Sequence, residues 1–481
     1  MFTGGFRVIL YLFWIALLVS ALQLARFAIE DPTQRDILTN TQLQQDLARL
    51  QLELERYSAF TVLRPQLKLT IAQAMSALVQ RYPTQLTRQQ FSLEVAKLLA
   101  LLDDPGATIF PWPRESQLPL SLKPMGQRWL ALNDQSQPFD REHPFVSHID
   151  GIPIQRWQHT ATQLLAVGAE RPQRLANLMA QTVLLRQIMG LAAHDTVRLT
   201  LTNDEIAPVS VNMPLVEVPQ SSSFAMNRWR LLAANVQLLR NDDLDSFAVN
   251  KQLRLDLQKA LNAEILVLDL RQADGSNSSL LRLLAARYEN PSSQPSGFGR
   301  YKRQPQLRND FLSPFGYQPL ARFSLFPTVK SQLMQNQHSE LSEWFARQPL
   351  VNSEQLNEGN NQTTEPQQLI LLIGPQCRHE CEWLVHTAAS WPHTLLLGSK
   401  TLGDFGRQLQ FRLPASGLNV QFSASLAYDR HGNLLSGIGT KPDIEIQSDG
   451  RVDWSQLLSA LQHYRAHNQR LDIGQNHLAL K

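Results

Sequence analysis

The sequence holds only two cysteines among its 481 residues, Cys377 and Cys381. One intrachain bridge is therefore the most the chain can form. In an oxidising compartment a disulfide is the commonest fate of such a pair, although four-residue spacing on a regular helix strains it; buried free thiols are the alternative. Charge is scarce as well. Charged residues make up 18% of the chain, the formal net charge is +3, and no Lys/Arg cluster of the kind that tracks phosphates occurs, which argues against nucleic acid as a partner. Apolar residues are plentiful at 43%, which is enough core for two or three packed domains and does not fit a disordered chain.

Near the N-terminus, Val8 to Ala25 form a mostly apolar run between Arg7 and Arg26, close to the length that crosses a bilayer. Residues 1–30 then read as a membrane anchor. They read equally well as a signal peptide whose apolar part ends at Val19-Ser20-Ala21, a small-residue cleavage pattern. On either reading the bulk of the chain is exported to the periplasmic side of the inner membrane, anchored through the N-terminal segment or released by cleavage.

Beyond it, Leu43, Leu47, Leu50, Leu54 and Tyr57 repeat at helical spacing. Thr87 and Gln90 form a capping-box pattern ahead of Phe91, Val95, Leu98, Leu99 and Leu102, and Asp103-Asp104-Pro105-Gly106 stops that helix. Residues 31–125 thus make a helical N-terminal region. Residues 126–218 make a small mixed module, with strands around Phe145 to Ile149 and Thr196 to Leu201, a turn at Asp150-Gly151 and helices between. From 226 to 481 the pattern is that of a third, larger domain. Ile265 to Leu268 is an apolar run typical of a strand covered on both faces, and a helix follows near Leu280 to Tyr288. Leu369 to Ile373, Glu380 to Ser390 and Thr394 to Leu397 form a β-α-β unit. A hairpin turns at Pro414 to Gly417, with Leu418 to Leu426 as its second strand, and Trp454 to Tyr464 reads as a closing helix. Two polar stretches, 290–306 and 351–368, read as loop insertions.

Several ordered segments carry a family resemblance. Val267-Leu268-Asp269-Leu270-Arg271 with Gly275 resembles a strand ending in D-L-R-x-N-x-G-G. Cys381-Glu382-Trp383 through Gly398-Ser399-Lys400-Thr401-Leu402-Gly403 resembles an S-A-S-E helix followed by G-x-x-T-x-G. Gly437 to Asp443 resembles G-x-G-x-x-P-D, Leu102 to Thr108 an L-x-D-x-H-T stretch, and Ile149 to Ile154 the I-x-G-x-x-V of a PDZ-like module. Together these are similar to the tail-specific, or C-terminal processing, serine peptidases. The resemblance implies a mixed α+β and α/β fold: the helical N-terminal region, a PDZ-like module and a β-spiral core of ClpP/crotonase type. It implies no cofactor and no metal. In this family a serine attacks the peptide carbonyl, a lysine acts as base, a glutamine orients the lysine, and backbone amides hold the oxyanion.

Carried over by motif, with Glu382 as the S-A-S-E glutamate, the serine position falls on His379, the lysine position on Asp404 and the glutamine on Gln408. The oxyanion turn falls on Gly275 and Ser276, with the Glu380 amide beside the nucleophile position, and Asp269 and Arg271 end the strand that leads to it. The chain departs from the family at the two reacting positions. It departs also at the turn, where Gln272-Ala273-Asp274-Gly275-Ser276 lacks the asparagine and one glycine, and at Asp104 to Thr108, which lacks a histidine. The expected consequence is a His379–Asp404 hydrogen-bonded pair filling a vacated dyad. Two rival chemistries remain: Cys381 as a substitute thiolate, which helical geometry turns away from His379, and a Cys377, His379, Cys381 and His386 metal cluster, whose spacing fits no zinc pattern and which a disulfide removes. The resulting reading is an exported, non-catalytic pseudopeptidase that binds peptide or protein chain termini. Its alternative is an active serine-type or Cys-dependent C-terminal processing endopeptidase with a non-standard site.

Overall fold

The computed structural model describes residues 11, 13–20, 36–112, 116–133, 135, 137–166, 171–203, 205–217, 228–233, 236–261, 263–289, 292–304, 307, 316–336, 338–350 and 368–446. Residues 11 and 13–20 are helical, and the rest of the apolar Val8 to Ala25 run lies outside the described residues. Among the described residues no helix is long and apolar enough to cross a membrane. The stretch 351–367 and the segment Trp454 to Tyr464 also lie outside them. Elsewhere the chain has the mixed helix and sheet architecture that the sequence implies.

Both amphipathic repeats of the N-terminal region are helices, Asn40–Tyr57 and Arg88–Ala100, and each opens on a complete capping box, Thr39 with Gln42 and Thr87 with Gln90. These caps satisfy amides that helix starts leave unpaired. The region is stitched into the far end of the chain. Asp46, fully buried, accepts hydrogen bonds from the amides of Ala415 (2.7 Å) and Ser416 (2.8 Å), and the strand Thr108–Phe110 pairs with Asn419–Ser423.

Residues 121–214 form a separate antiparallel sheet, ordered 121–125, 128–132, 145–149, 196–202 and 209–214, with the short 152–153 strand on its third member. Helices Ile154–Thr162, Arg171–Ala180 and Thr182–Met189 belong to the same module. The sheet begins at Ser121, before the expected boundary at 126, and a Gln117–Val216 bridge closes it.

The larger domain is built on a six-stranded sheet. Arg228–Ala233 pairs antiparallel with Val236–Arg240, after which 236–240, 265–269, 368–373, 394–398 and 444–445 follow in parallel. Chain order and spatial order coincide across this sheet, so it has none of the reversal that marks a dinucleotide-binding sheet. Ile265–Asp269 is buried throughout, with Leu266 and Leu268 in one apolar cluster and Ile265 and Val267 in another. Side chains alternate faces along a strand, so both faces of this strand are covered. Each such leucine contributes roughly 2 kcal/mol of burial.

A second sheet corrects the reading of 290–306 as a loop. Gly297–Tyr301 is a fully buried strand between Phe345–Arg347 and Ser425–Tyr428. Its polar composition suggested a loop, but its glycines are there for close approach. A Cβ at Gly297 would meet the Trp383 ring at 2.6 Å, and one at Gly299 would meet the Tyr317 ring at 2.6 Å. The hairpin forms between Gln408–Arg412 and Asn419–Ser423, but its second strand ends there; after Ala424 the chain crosses to the second sheet.

The loop 399–404 is held by one carboxylate. Glu382, fully buried on the helix Glu380–Ala388, accepts hydrogen bonds from the Thr401 hydroxyl (2.6 Å), the Gly403 amide (2.6 Å) and the Asp404 amide (3.2 Å). The Thr401 hydroxyl in turn accepts from the Thr440 amide at 2.8 Å. Burial pushes the Glu382 carboxyl up to about 7 against these bonds, and burial pushes Asp104 up to about 6. The folded state therefore binds these protons more tightly than the unfolded chain does. Stability from this source is complete below the unfolded carboxylate range and is lost as pH rises through about 6 to 7. Urea midpoints should accordingly fall between pH 5 and pH 8, with Glu382 contributing on the order of 3 kcal/mol. In Glu382→Gln the fall should shrink; an undiminished fall would remove Glu382 as its source.

Candidate active site

The site lies where the helix Glu380–Ala388 begins. Cys377 and Cys381 are joined in a disulfide across this turn, with Cα atoms 5.3 Å apart. Because the helix starts only at Glu380, Cys377 precedes it and the constraint of regular helical spacing does not apply. The bridge removes Cys381 as a thiolate nucleophile and removes both sulfurs as metal ligands. Among the described residues no group of His, Cys, Asp and Glu side chains could hold a metal ion.

Between the two cysteines, His379 has φ 54° and ψ −114°, a conformation that costs a side-chain-bearing residue energy and persists only when its surroundings impose it. Its neighbours account for that. The amides of Arg378, His379 and Glu380 donate to the carbonyls of Ala273 (3.0 Å), Asp404 (2.8 Å) and Gly275 (3.1 Å). The elbow is thus pinned to the 273–275 turn on one side and to residue 404 on the other.

The expected His379–Asp404 side-chain pair is not what the fold makes. The carboxylate bonded to the imidazole is Asp274, whose Oδ1 lies 2.6 Å from His379 Nδ1. Asp404 uses Oδ2 to accept from Arg378 Nε (2.8 Å) and Gln408 Nε2 (2.8 Å), and its Oδ1 is buried without a partner. Burial presses the His379 imidazolium down, but the hydrogen bond to Asp274 and the charges of Asp404 and Asp274 outweigh it, so its pKa lies above the usual value. Burial likewise opposes ionisation of Asp274, yet the His379 bond and the charges of His379 and Arg378 hold it down to about 2. Both shifts favour the charged pair of imidazolium and carboxylate.

The oxyanion turn is present but spent. Gly275, at φ 139°, fits where a Cβ would meet the Asp245 amide at 3.0 Å. Its own amide donates to Asp274 Oδ1 (2.7 Å), and the Ser276 amide donates to Asp245 Oδ1 (2.9 Å). With the Glu380 amide on the Gly275 carbonyl, each of the three amides expected to face a substrate carbonyl already has an acceptor within the chain. Asp269 and Arg271 form a two-pronged pair, Nε to Oδ1 at 2.8 Å and Nη2 to Oδ2 at 2.7 Å, that closes the strand end. At Gly106, where the histidine is missing, a Cβ would meet Gln408 Nε2 at 2.5 Å and Asp404 Oδ1 and Ser423 Oγ at 2.9 Å. That space is filled.

Two pockets flank the elbow. His379 opens on one of about 530 Å³, lined also by Asp243, Asp245, Asp274, Ser276 and Gln408. Arg378 opens on another of about 750 Å³, between the core, the N-terminal helices and the helix Arg171–Ala180. The structure thus gathers His379, Gly275, Ser276, Glu380 and Gln408 as expected and adds Asp274, Asp245 and Arg378, which motif matching passed over. Asp274 occupies the unspecified position of the D-L-R-x-N-x-G-G pattern, so the motif gave no sign of it. Three hydroxyls sit on carboxylates nearby: Ser276 on Asp245 (3.3 Å), Thr401 on Glu382 (2.6 Å) and Ser423 on Asp104 (2.7 Å). The last two are buried. Since Asp274 supplies both a hydrogen bond and a charge, Asp274→Asn should lower the His379 pKa, followed by NMR titration of the imidazole. An unchanged value would return the role to Asp404.

With this geometry in hand, residues 243–446 match the family model of peptidase family S41. Among curated proteins none matches the chain. Mature CPAF is similar in structure at 14% identity, covering 84% of this chain and 92% of its own, with a TM-score of 0.54. Mature CPAF complexed with lactacystin gives 14%, 84%, 94% and 0.53. The photosystem II D1 C-terminal processing protease gives 14%, 84%, 93% and a TM-score of 0.36. Over residues 243–446, then, this chain is similar to peptidase family S41.

Proposed function

We propose that this protein is a peptidase-like protein that holds a peptide or protein chain terminus without cutting it, exported to the periplasmic side of the inner membrane and anchored there or released by signal cleavage. The observation that carries the reading is the hydrogen bond from the Glu380 amide to the Gly275 carbonyl, 3.1 Å long, beside an imidazole at the nucleophile position. Acyl transfer needs a nucleophile and donors aimed at the developing oxyanion. Here a ring nitrogen bound to Asp274 stands in the first place, and the donors of the second are engaged within the chain.

The export reading rests on the apolar Val8 to Ala25 run. Peptide binding rests on the 126–218 module as a PDZ-like unit, whose sheet ends in the edge strands 121–125 and 209–214. An edge strand can accept an extended chain through main-chain hydrogen bonds.

A second reading has one observation in its favour. Nδ1 of His379 on Asp274 is how a carboxylate orients a general-base histidine, and Ser276 lines the same pocket. An active peptidase with Ser276 as nucleophile would use that arrangement. The two readings separate in a cleavage assay on an unfolded protein with an apolar C-terminus, run with the natural chain, His379→Ala, Asp404→Ala and Ser276→Ala. Background within twofold in all four, together with retention of the uncut protein, is expected. Turnover in the natural chain that drops tenfold or more in any variant would make the site catalytic.

A further inference from the structure

The roughly 750 Å³ cavity on the Arg378 side has no role in the reading above, and its charge is unbalanced. Four arginines line it. Arg240 is paired with Asp242, Arg271 with Asp269, and Arg378 through Nε with Asp404. The fourth, Arg174 on the helix Arg171–Ala180, has no hydrogen bond or ion pair to any described residue. The two carboxylates that line the cavity are committed elsewhere, Asp104 to Ser423 and Gly106, and Asp269 to Arg271. Burial is what most disfavours the Arg174 cation, the like charge of Arg378 adds to that cost, and the charge of Asp404 offsets part of it. Leu99, Leu164, Leu165 and Leu178 form an apolar stretch of the wall, beside polar Asn177, Gln181 and Gln376.

A partly buried cation with no hydrogen-bonded counter-ion costs free energy that a bound anion recovers, and a guanidinium presents a planar fork suited to carboxylate and phosphate oxygens. We propose that this cavity binds an anionic amphiphile, its carboxylate or phosphate head seated between Arg174 and Arg378 and its apolar chain laid on the leucines. This inference does not depend on whether the elbow is catalytic. It also gives the ligand a mechanical effect. The head group joins the helix Arg171–Ala180 to the residue next to His379, so occupancy ties the 121–214 module to the core.

Isothermal titration of the natural protein with octanoate, octyl phosphate, acetate and octanol, at constant ionic strength, tests the site. Octanoate and octyl phosphate should saturate one site, and the better of the two identifies the head group. Acetate should bind more weakly, by roughly fourfold for each methylene lost from the buried chain. Octanol should bind weakly for want of a charge. Arg174→Gln should weaken octanoate and octyl phosphate roughly ten- to hundredfold, while Arg56→Gln, an exposed control, leaves them unchanged. A thermal melt of Arg174→Gln that matches the natural chain shows that the variant is folded. No saturable binding of either amphiphile, equal binding by Arg174→Gln, or octanol binding as well as octanoate would each overturn the proposal.

Discussion

One buried carboxylate organises this active-site region. Glu382 reaches from the first turn of its helix to Thr401, Gly403 and the amide of Asp404, and through Thr401 it fixes Thr440. Burying a carboxyl group costs free energy unless it is hydrogen-bonded, so its three donors hold it in place. Two glycines make the arrangement possible. A Cβ at Gly403 would meet the amide nitrogens of Gly439 and Ile438 at 2.6 Å, and one at Gly439 would meet the Thr401 carbonyl at 2.0 Å. Asp443 completes the brace by accepting from the Leu396 amide at 2.8 Å.

The segments that carry the family resemblance are the ones that meet in this brace. The glutamate, the threonine and glycine after the next strand, and the terminal G-x-G-x-x-P-D residues hold the loop, helix and sheet end together. They are needed for folding whether or not anything is cleaved. Beside this brace lies a charged network. Arg378, His379, Asp274, Asp404 and Gln408 interlock through side-chain hydrogen bonds. A lysine at 404 would face Arg378 as a like charge and break this network. The disulfide and the amide contacts on Ala273, Gly275 and Asp404 keep the strained elbow in place without a substrate.

Much of this was legible in the sequence, for identifiable reasons. Strand Ile265–Asp269 and the β-α-β unit around residue 380 announced themselves through uninterrupted apolar runs, and both N-terminal helices through their capping boxes. Gly297–Tyr301 was misread because its glycines serve Trp383 and Tyr317, contacts made at a distance in the chain that local composition cannot show. At the site, spacing pointed to His379, Gln408 and the turn, which the fold brings into one pocket. It could not give the partner of the imidazole, because a positive φ at His379 sends that side chain to Asp274 while Arg378 takes Asp404. Arg174 carried no signal at all, since a lone arginine on an amphipathic helix is ordinarily solvated.

The central claim is that no side chain in this site is activated for attack on a carbonyl or phosphoryl centre. Intact-mass analysis after incubation with a fluorophosphonate, which phosphonylates activated hydroxyls with loss of fluoride, addresses it directly. The mass should remain that of the unmodified chain after prolonged exposure. A stoichiometric adduct mapping to Ser276, or to any hydroxyl in the pocket of His379, would contradict the account.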